Sequence, residues 1–183
     1  LTVPSTLEIP NAFGHGTSTS VEIEQPVSTD LTISEKTTSD KELPETLSVE
    51  METTASLIVD TPNLTVSLEG SYTTVEATTA ENTLIVAKNT VIETLTVKKG
   101  NVKIYGTVGE IVNEGTGKII RCIDAQDEVE RTLADTRCDH ILIEKPAGTL
   151  DFGGGTTTKQ VCVEASVTIA NLIVSPEKEH PVL

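Results

Sequence analysis

Between Leu57 and Val112 one kind of cluster returns at short intervals: Leu57-Ile58-Val59, Leu64-Thr65-Val66, Val75-Glu76-Ala77, Leu84-Ile85-Val86, Leu95-Thr96-Val97 and Val102-Lys103-Ile104. Apolar residues alternate with Thr and other polar residues over a few positions, and Asn, Gly, Pro or Lys-Gly separates one cluster from the next. This is the pattern of half-buried β-strands punctuated by turns. Trp is absent, Phe and Tyr together number four, and Thr supplies about one residue in six, so the core must be built from Val, Ile and Leu, with Thr on the outer strand faces. No long run has a 3.6-residue period, which argues against a helix bundle or a doubly wound α/β fold.

The spacing of the clusters constrains the fold further. Leu47, Leu64, Leu84, Val102, Ile119, Ile141 and Val161 form one series, and Leu57, Val75, Leu95, Ile111, Val129, Leu150 and Val167 form a second that interleaves with it. Two interleaved series with a shared period of about 20 residues are what successive turns of a solenoid give, each turn adding a strand to each of two or three parallel sheets. Asn63, Asn82 and Asn101 stand at equal spacing ahead of their strands and would mark the register as a ladder of stacked amides. The expected fold is therefore all-β, a single-stranded parallel β-helix. The alternative is an antiparallel β-sandwich, disfavoured because the hairpin dipeptides Asn-Gly and Asp-Gly are missing.

The chain divides, on this reading, into three parts. Residues 1–46 carry short strand signals (Leu7-Glu8-Ile9, Val21-Glu22-Ile23, Leu31-Thr32-Ile33) interrupted by Pro4, Pro10, Pro26 and Pro44, as irregular strands or a cap would. Residues 47–175 hold the coils, and residues 176–183 a polar tail or cap. Between Asp124 and Thr136 the pattern changes: Ala125, Val129 and Leu133 stand four apart, Asp124 suits an N-cap and Asp127 the capping-box position, so a short helical insertion is expected there.

The formal charge of −15 opposes binding to nucleic acid, which needs clustered cations, whereas only Arg121, Arg131 and Arg137 occur as arginines. From Val21 to Glu52 nine acidic residues face Lys36 and Lys41 alone, a composition that reads first as a solubilising surface. No apolar run is long enough to span a membrane. The start at Leu1 fits a chain from which a signal or anchor segment has been removed, and the expected location is extracellular, cell-surface or periplasmic. Asn63-Leu64-Thr65 is a formal N-glycosylation triplet, of a kind that a Thr-rich chain produces by chance.

Short Thr, Val and Ile strands at about one coil per 20 residues, with Asn at the corners, resemble the right-handed parallel β-helix of the pectate-lyase-like superfamily. The resemblance spans Leu47 to Val174 and is one of pattern. It implies a three-sheet coil, often extracellular, in proteins that act as polysaccharide lyases and hydrolases, as adhesins or as passive stalks. The hydrolases of that superfamily use a Gly-His-Gly element, which Gly14-His15-Gly16 matches, but here it precedes the coils and no paired Asp residues accompany it. The lyases hold Ca²⁺ with carboxylates beside an Arg or Lys base; Asp124, Asp127, Glu128 and Glu130 lie near Arg131 and Arg137, yet their spacing fits the solvated face of a helix better than a calcium loop.

No catalytic set, cofactor site or metal site is expected. The three cysteines form no Cys-x-x-Cys pair; a Cys122–Cys138 disulfide would close the base of the helical insertion in an oxidising compartment, and three buried thiols are the alternative. Gly153-Gly154-Gly155 lacks the Lys and helix of a phosphate loop. The functional expectation is a non-catalytic structural or adhesive module of a secreted or cell-surface bacterial protein, with weak glycan or protein binding. The alternative is a degenerate or truncated polysaccharide lyase or hydrolase on the same fold.

Overall fold

The computed structural model describes residues 6–9, 18–35, 46–78, 83–123, 129–131, 137–144, 147–151, 157–163 and 169–173. Every paired strand among them is parallel to its partner, and none of them is helical. The fold is a parallel β-solenoid, all-β, as the strand spacing predicts, and the antiparallel sandwich is excluded. The chain forms two compact units, Leu1–Ile119 and Ile120–Leu183.

The first unit contains β1 (Thr6–Ile9), β2 (Ser18–Glu22), β3 (Leu31–Glu35), β4 (Thr46–Asp60), β5 (Thr65–Ala77), β6 (Thr83–Val86), β7 (Val91–Val97), β8 (Asn101–Ile104) and β9 (Thr107–Asn113). Its regular part, from Thr46 to Gly117, makes about four turns. Each turn has a first segment and a second one. First segments stack as β2 on β4, β4 on β5, β5 on β6 and β6 on β8. Second segments stack as β1 on β3, β3 on β4, β4 on β5, β5 on β7 and β7 on β9. The long strands β4 and β5 run through both segments, with a register shift between Thr53 and Ser56 where the chain bends.

The register explains the core. Leu47 pairs with Val66, Val66 with Leu84 and Leu84 with Val102, while Leu31, Leu57, Val75, Leu95 and Ile111 form a second column. All but Ile111 are buried, and the residues between them point outward, because successive side chains of a strand alternate between its faces. A parallel sheet covered on both sides reads as an unbroken apolar run; alternation survives here because only the inner face is covered, by the opposite wall of the same coil. Among the described residues of the first unit the regular turns show two stacked strand segments each, where the superfamily resemblance implies three sheets.

Corners are closed by hydroxyls and by close backbone packing. The hydroxyls of Thr73, Thr78 and Thr90 donate to the carbonyls of Thr53, Val59 and Leu68, each on the preceding turn, at 3.2, 3.2 and 2.6 Å. Buried Thr61 donates to Leu64 O within its own corner at 3.2 Å. Thr is thus a corner residue as well as a surface one, since its small side chain satisfies a carbonyl that the coil would otherwise leave without a partner. At Gly115 a Cβ would run into the carbonyl oxygen of Lys98 on the turn below, so only glycine lets the backbones approach.

Residues before Thr46 join this stack. β2 and β3 pair with β4 at offsets of 28 and 26 residues, against 18 to 20 for the pairings of β4 with β5 and of β5 with β6 and β7. Residues 36–45, which fall within both longer offsets, lie outside the described residues. Two carboxylates of this longer turn fasten it to the next one: Asp30 Oδ1 accepts from the Ser56 amide at 3.1 Å, and the Glu35 carboxylate accepts from the Asn63 amide and from Asn63 Nδ2 at 2.6 and 3.1 Å. Replacing Glu35 by Ala removes the carboxylate that caps this exposed corner, and urea unfolding should register a loss of about 1 kcal/mol; Glu35→Gln, which keeps one acceptor, should recover part of it.

The second unit contains β10 (Lys118–Ile123, which begins in the first unit), β11 (Val129–Arg131), β12 (Arg137–Ile143), β13 (Ala147–Asp151), β14 (Thr157–Val163) and β15 (Ile169–Ile173). Here β10, β12 and β14 stack at offsets of 20 residues, and β11, β13 and β15 form a separate three-stranded stack. The helix expected over Asp124 to Thr136 is corrected at its centre, where Val129-Glu130-Arg131 is a strand paired with Thr149-Leu150-Asp151. A four-residue apolar spacing is compatible with a helix, but pairing with a neighbouring coil overrides so short a local signal. Residues 124–128 and 132–136 lie outside the described residues. Ala147 and Gly148 open β13.

Candidate functional site

The outward face of the first segments carries a repeat. β2 reads Ser-Thr-Ser-Val-Glu, β4 opens Thr-Leu-Ser-Val-Glu, and β5 opens Thr-Val-Ser-Leu-Glu. Pairing places these in direct register: Ser18, Thr46 and Thr65 in one row, Ser20, Ser48 and Ser67 in the next, Glu22, Glu50 and Glu69 in the third. Leu47, Val49, Val66 and Leu68, between the polar positions of β4 and β5, are fully buried, which turns the Thr, Ser and Glu of those strands outward. Adjacent rungs are ~4.8 Å apart, and alternate residues along a strand about 6.6 Å apart. The result is a flat polar grid of hydroxyls edged by carboxylates.

The grid has a defined end. On the next two turns the central row continues as Ile85 and Lys103. The charge changes with it: described residues from 18 to 78 include nine acidic side chains and no Lys or Arg, whereas residues 83–119 include five Lys against three Glu. Glu76 and Lys98 meet where these zones adjoin, 2.8 Å apart, and the hydrogen bond to Glu76 holds the Lys98 ammonium above its ordinary pKa. This pair is largely solvated and contributes little stability. Like charges stacked directly across strands are unfavourable, so the Glu22, Glu50 and Glu69 row is a feature the fold tolerates rather than one that holds it together.

Beneath the carboxylates lies Tyr72, the largest fully buried side chain among the described residues. Its hydroxyl is 2.8 Å from the Glu69 carbonyl oxygen and 3.2 Å from that of Val49. Burial, reinforced by the nearby negative charges of Glu50 and Glu69, pushes its pKa well above that of a free phenol.

The sequence-predicted residues are dispersed. Asn63 is exposed at the corner between β4 and β5 with its amide on Glu35, and Asn101 opens β8 opposite Thr83. Asn82, on which a ladder between them depends, lies outside the described residues, as do Gly14-His15-Gly16, Asp124, Asp127 and Glu128. Glu130, Arg131 and Arg137 are strand residues. No group of three or more His, Cys, Asp or Glu that could hold a metal ion occurs among the described residues.

The register also bears on the cysteines. Cys122 stands opposite Leu142, and Leu142 opposite Cys162, while Cys138 stands opposite Thr158. Cys138 is therefore four residues, or about 13 Å of strand, away from the position facing Cys122, and equally far from the one facing Cys162. Cys122 and Cys162 are two rungs apart, roughly 10 Å. A disulfide needs Cα atoms about 4–7 Å apart, so the Cys122–Cys138 bridge expected from the sequence does not fit this register, and neither do the other two pairings. Alkylation in denaturant without reductant should modify all three thiols; protection of any two would contradict the register.

No protein-family model, curated protein or solved structure matches the chain. No helix among the described residues is long and apolar enough to cross a membrane.

Proposed function

We propose that the chain is a non-catalytic structural or adhesive module of a secreted or cell-surface protein, a β-helix of the pectate-lyase-like kind whose outer strand faces bind a glycan or protein weakly. The observation that carries this reading is the hydroxyl and carboxylate grid on β2, β4 and β5, repeated in register over three turns. Outward positions contribute nothing to the apolar core, so the fold itself does not require Ser over Ser and Glu over Glu. A regular, flat, hydrogen-bonding surface suits many weak contacts to an extended ligand; it offers no pocket-like convergence of groups for chemistry on one bond.

The test is a glycan array probed with the labelled protein and with a Ser48→Lys/Ser67→Lys variant, which adds bulk and reversed charge in the middle of the grid. Wild-type binding that the variant loses supports the adhesive role of this face. Equal binding by both, or binding by neither, rejects it. Release of unsaturated or reducing ends from polygalacturonate, with or without Ca²⁺, would overturn the non-catalytic reading.

A further inference from the structure

We infer that Asn63 is the acceptor of a single N-linked glycan when the chain passes through a secretory pathway that carries out that reaction. The inference rests on the secreted or cell-surface reading. Asn63-Leu64-Thr65 is the sole Asn-x-Ser/Thr triplet of the 183 residues. As a string it says little; its place in the fold says more. Thr61-Pro62-Asn63-Leu64 is the corner between β4 and β5, closed by the Thr61 hydroxyl on Leu64 O at 3.2 Å, with Pro62 in a position that suits a β-turn. Leu64 is driven into the core with no exposed surface, and Asn63 is exposed at the tip. Thr65 opens β5 on the outward side, half-buried. Acceptor amide and triplet hydroxyl therefore both lie on the outer side of the coil, with the middle residue as their anchor.

The chemistry is compatible with the hydrogen bonding. Asn63 Nδ2 carries two hydrogens, and one contact is made, to Glu35 Oε2 at 3.1 Å. With a lipid diphosphate-linked oligosaccharide as donor, a bond forms between Nδ2 and the anomeric carbon. The bond from that carbon to the diphosphate oxygen breaks, the lipid diphosphate leaves with the electron pair, and one amide proton is released. One N–H remains on Nδ2, enough to keep the contact with Glu35. A glycan added before folding would thus project from a solvated corner and displace no core side chain, the requirement that a buried acceptor would fail.

The experiment is expression of the full chain behind a cleavable secretion signal in an N-glycosylating host, followed by intact mass analysis of the secreted protein before and after peptide:N-glycosidase treatment. The expected result is one glycan on the wild type, with Asn63 converted to Asp on release. Asn63→Gln and Thr65→Val should run at the bare polypeptide mass, and Thr65→Ser should retain a modified fraction. Secreted wild-type protein at the bare mass would overturn the inference while leaving the adhesive reading intact, since that reading is tested separately on unglycosylated protein.

Discussion

Gly70→Ala should remove a large part of this protein's stability. Gly70 has φ of +108°, a backbone conformation that side chains oppose, and it faces Met51 across the β4 and β5 pair. A Cβ there would collide with the Met51 carbonyl oxygen, a backbone atom fixed by the sheet. The conformational strain alone costs about 1–3 kcal/mol. Forcing the two turns apart adds roughly 1–3 kcal/mol, as overpacking does in cores. The combined loss, about 2–6 kcal/mol, compares with a total stability of about 5–15 kcal/mol for a domain. Urea unfolding monitored by circular dichroism should show a large drop in midpoint, or no folded baseline at all. A midpoint within 0.5 M of wild type would mean that Gly70 does not approach Met51 as described.

The second large effect belongs to Tyr72. Truncation to Ala empties the space under the grid and should cost about 3–5 kcal/mol. Tyr72→Phe keeps the ring but withdraws the hydroxyl from the carbonyls of Glu69 and Val49, and should cost about 1–3 kcal/mol. Tyr72 also sets an alkaline limit. Below about pH 10 the phenol is neutral in both the folded and unfolded chain and adds no pH dependence. Above it, the unfolded chain releases the proton while the folded one, with its raised pKa, retains it, so stability falls as pH rises. The slope is about −1.4 kcal/mol per pH unit until the folded pKa is reached. In a Tyr105→Phe background, where Tyr72 is the remaining phenol, its absorbance change should coincide with alkaline unfolding; adding Tyr72→Phe should remove the corresponding slope from the stability curve.

These two residues show where the sequence was legible and where it was not. The second apolar series holds over its first four members: Leu57, Val75, Leu95 and Ile111 form a continuous column of paired residues, whereas Val129 faces Thr149 and Leu150 faces Glu130 and Leu172. Apolar spacing works there because one buried position per segment recurs turn after turn. The first series slips twice: Leu64 is a buried corner residue and Val66 is the true partner of Leu47 and Leu84, and Ile141 faces Arg121 in place of Ile119. Corners bury side chains too, and periodicity cannot tell them from strands. The repeat on β2, β4 and β5 is not legible from apolar spacing for a related reason: it is written in outward polar residues and offset by 28 and then 19 positions. The roles of Tyr72 and Gly70 are set by contacts with the preceding turn, at Val49 and Met51, which no local pattern encodes.

The candidate site was less legible than the fold. Charge segregation was visible as acidic residues early in the chain, but their stacking as Glu22, Glu50 and Glu69 follows only from register. The same register separates Cys122 from Cys138, whose spacing in the sequence suggested a bridge. In a solenoid, closeness is decided by position within the turn, and residues one turn apart meet only when their offset equals the length of that turn.

The most direct test of the parallel, in-register stack is the set of inter-strand backbone nuclear Overhauser contacts in isotope-labelled protein. A parallel stack predicts contacts at constant sequence difference: 18 residues between Val66 and Leu84 and between Leu84 and Val102, and 20 between Val75 and Leu95. An antiparallel sheet would instead give pairs whose residue numbers have a constant sum, and contacts of that kind across β5, β6 and β8 would contradict the solenoid.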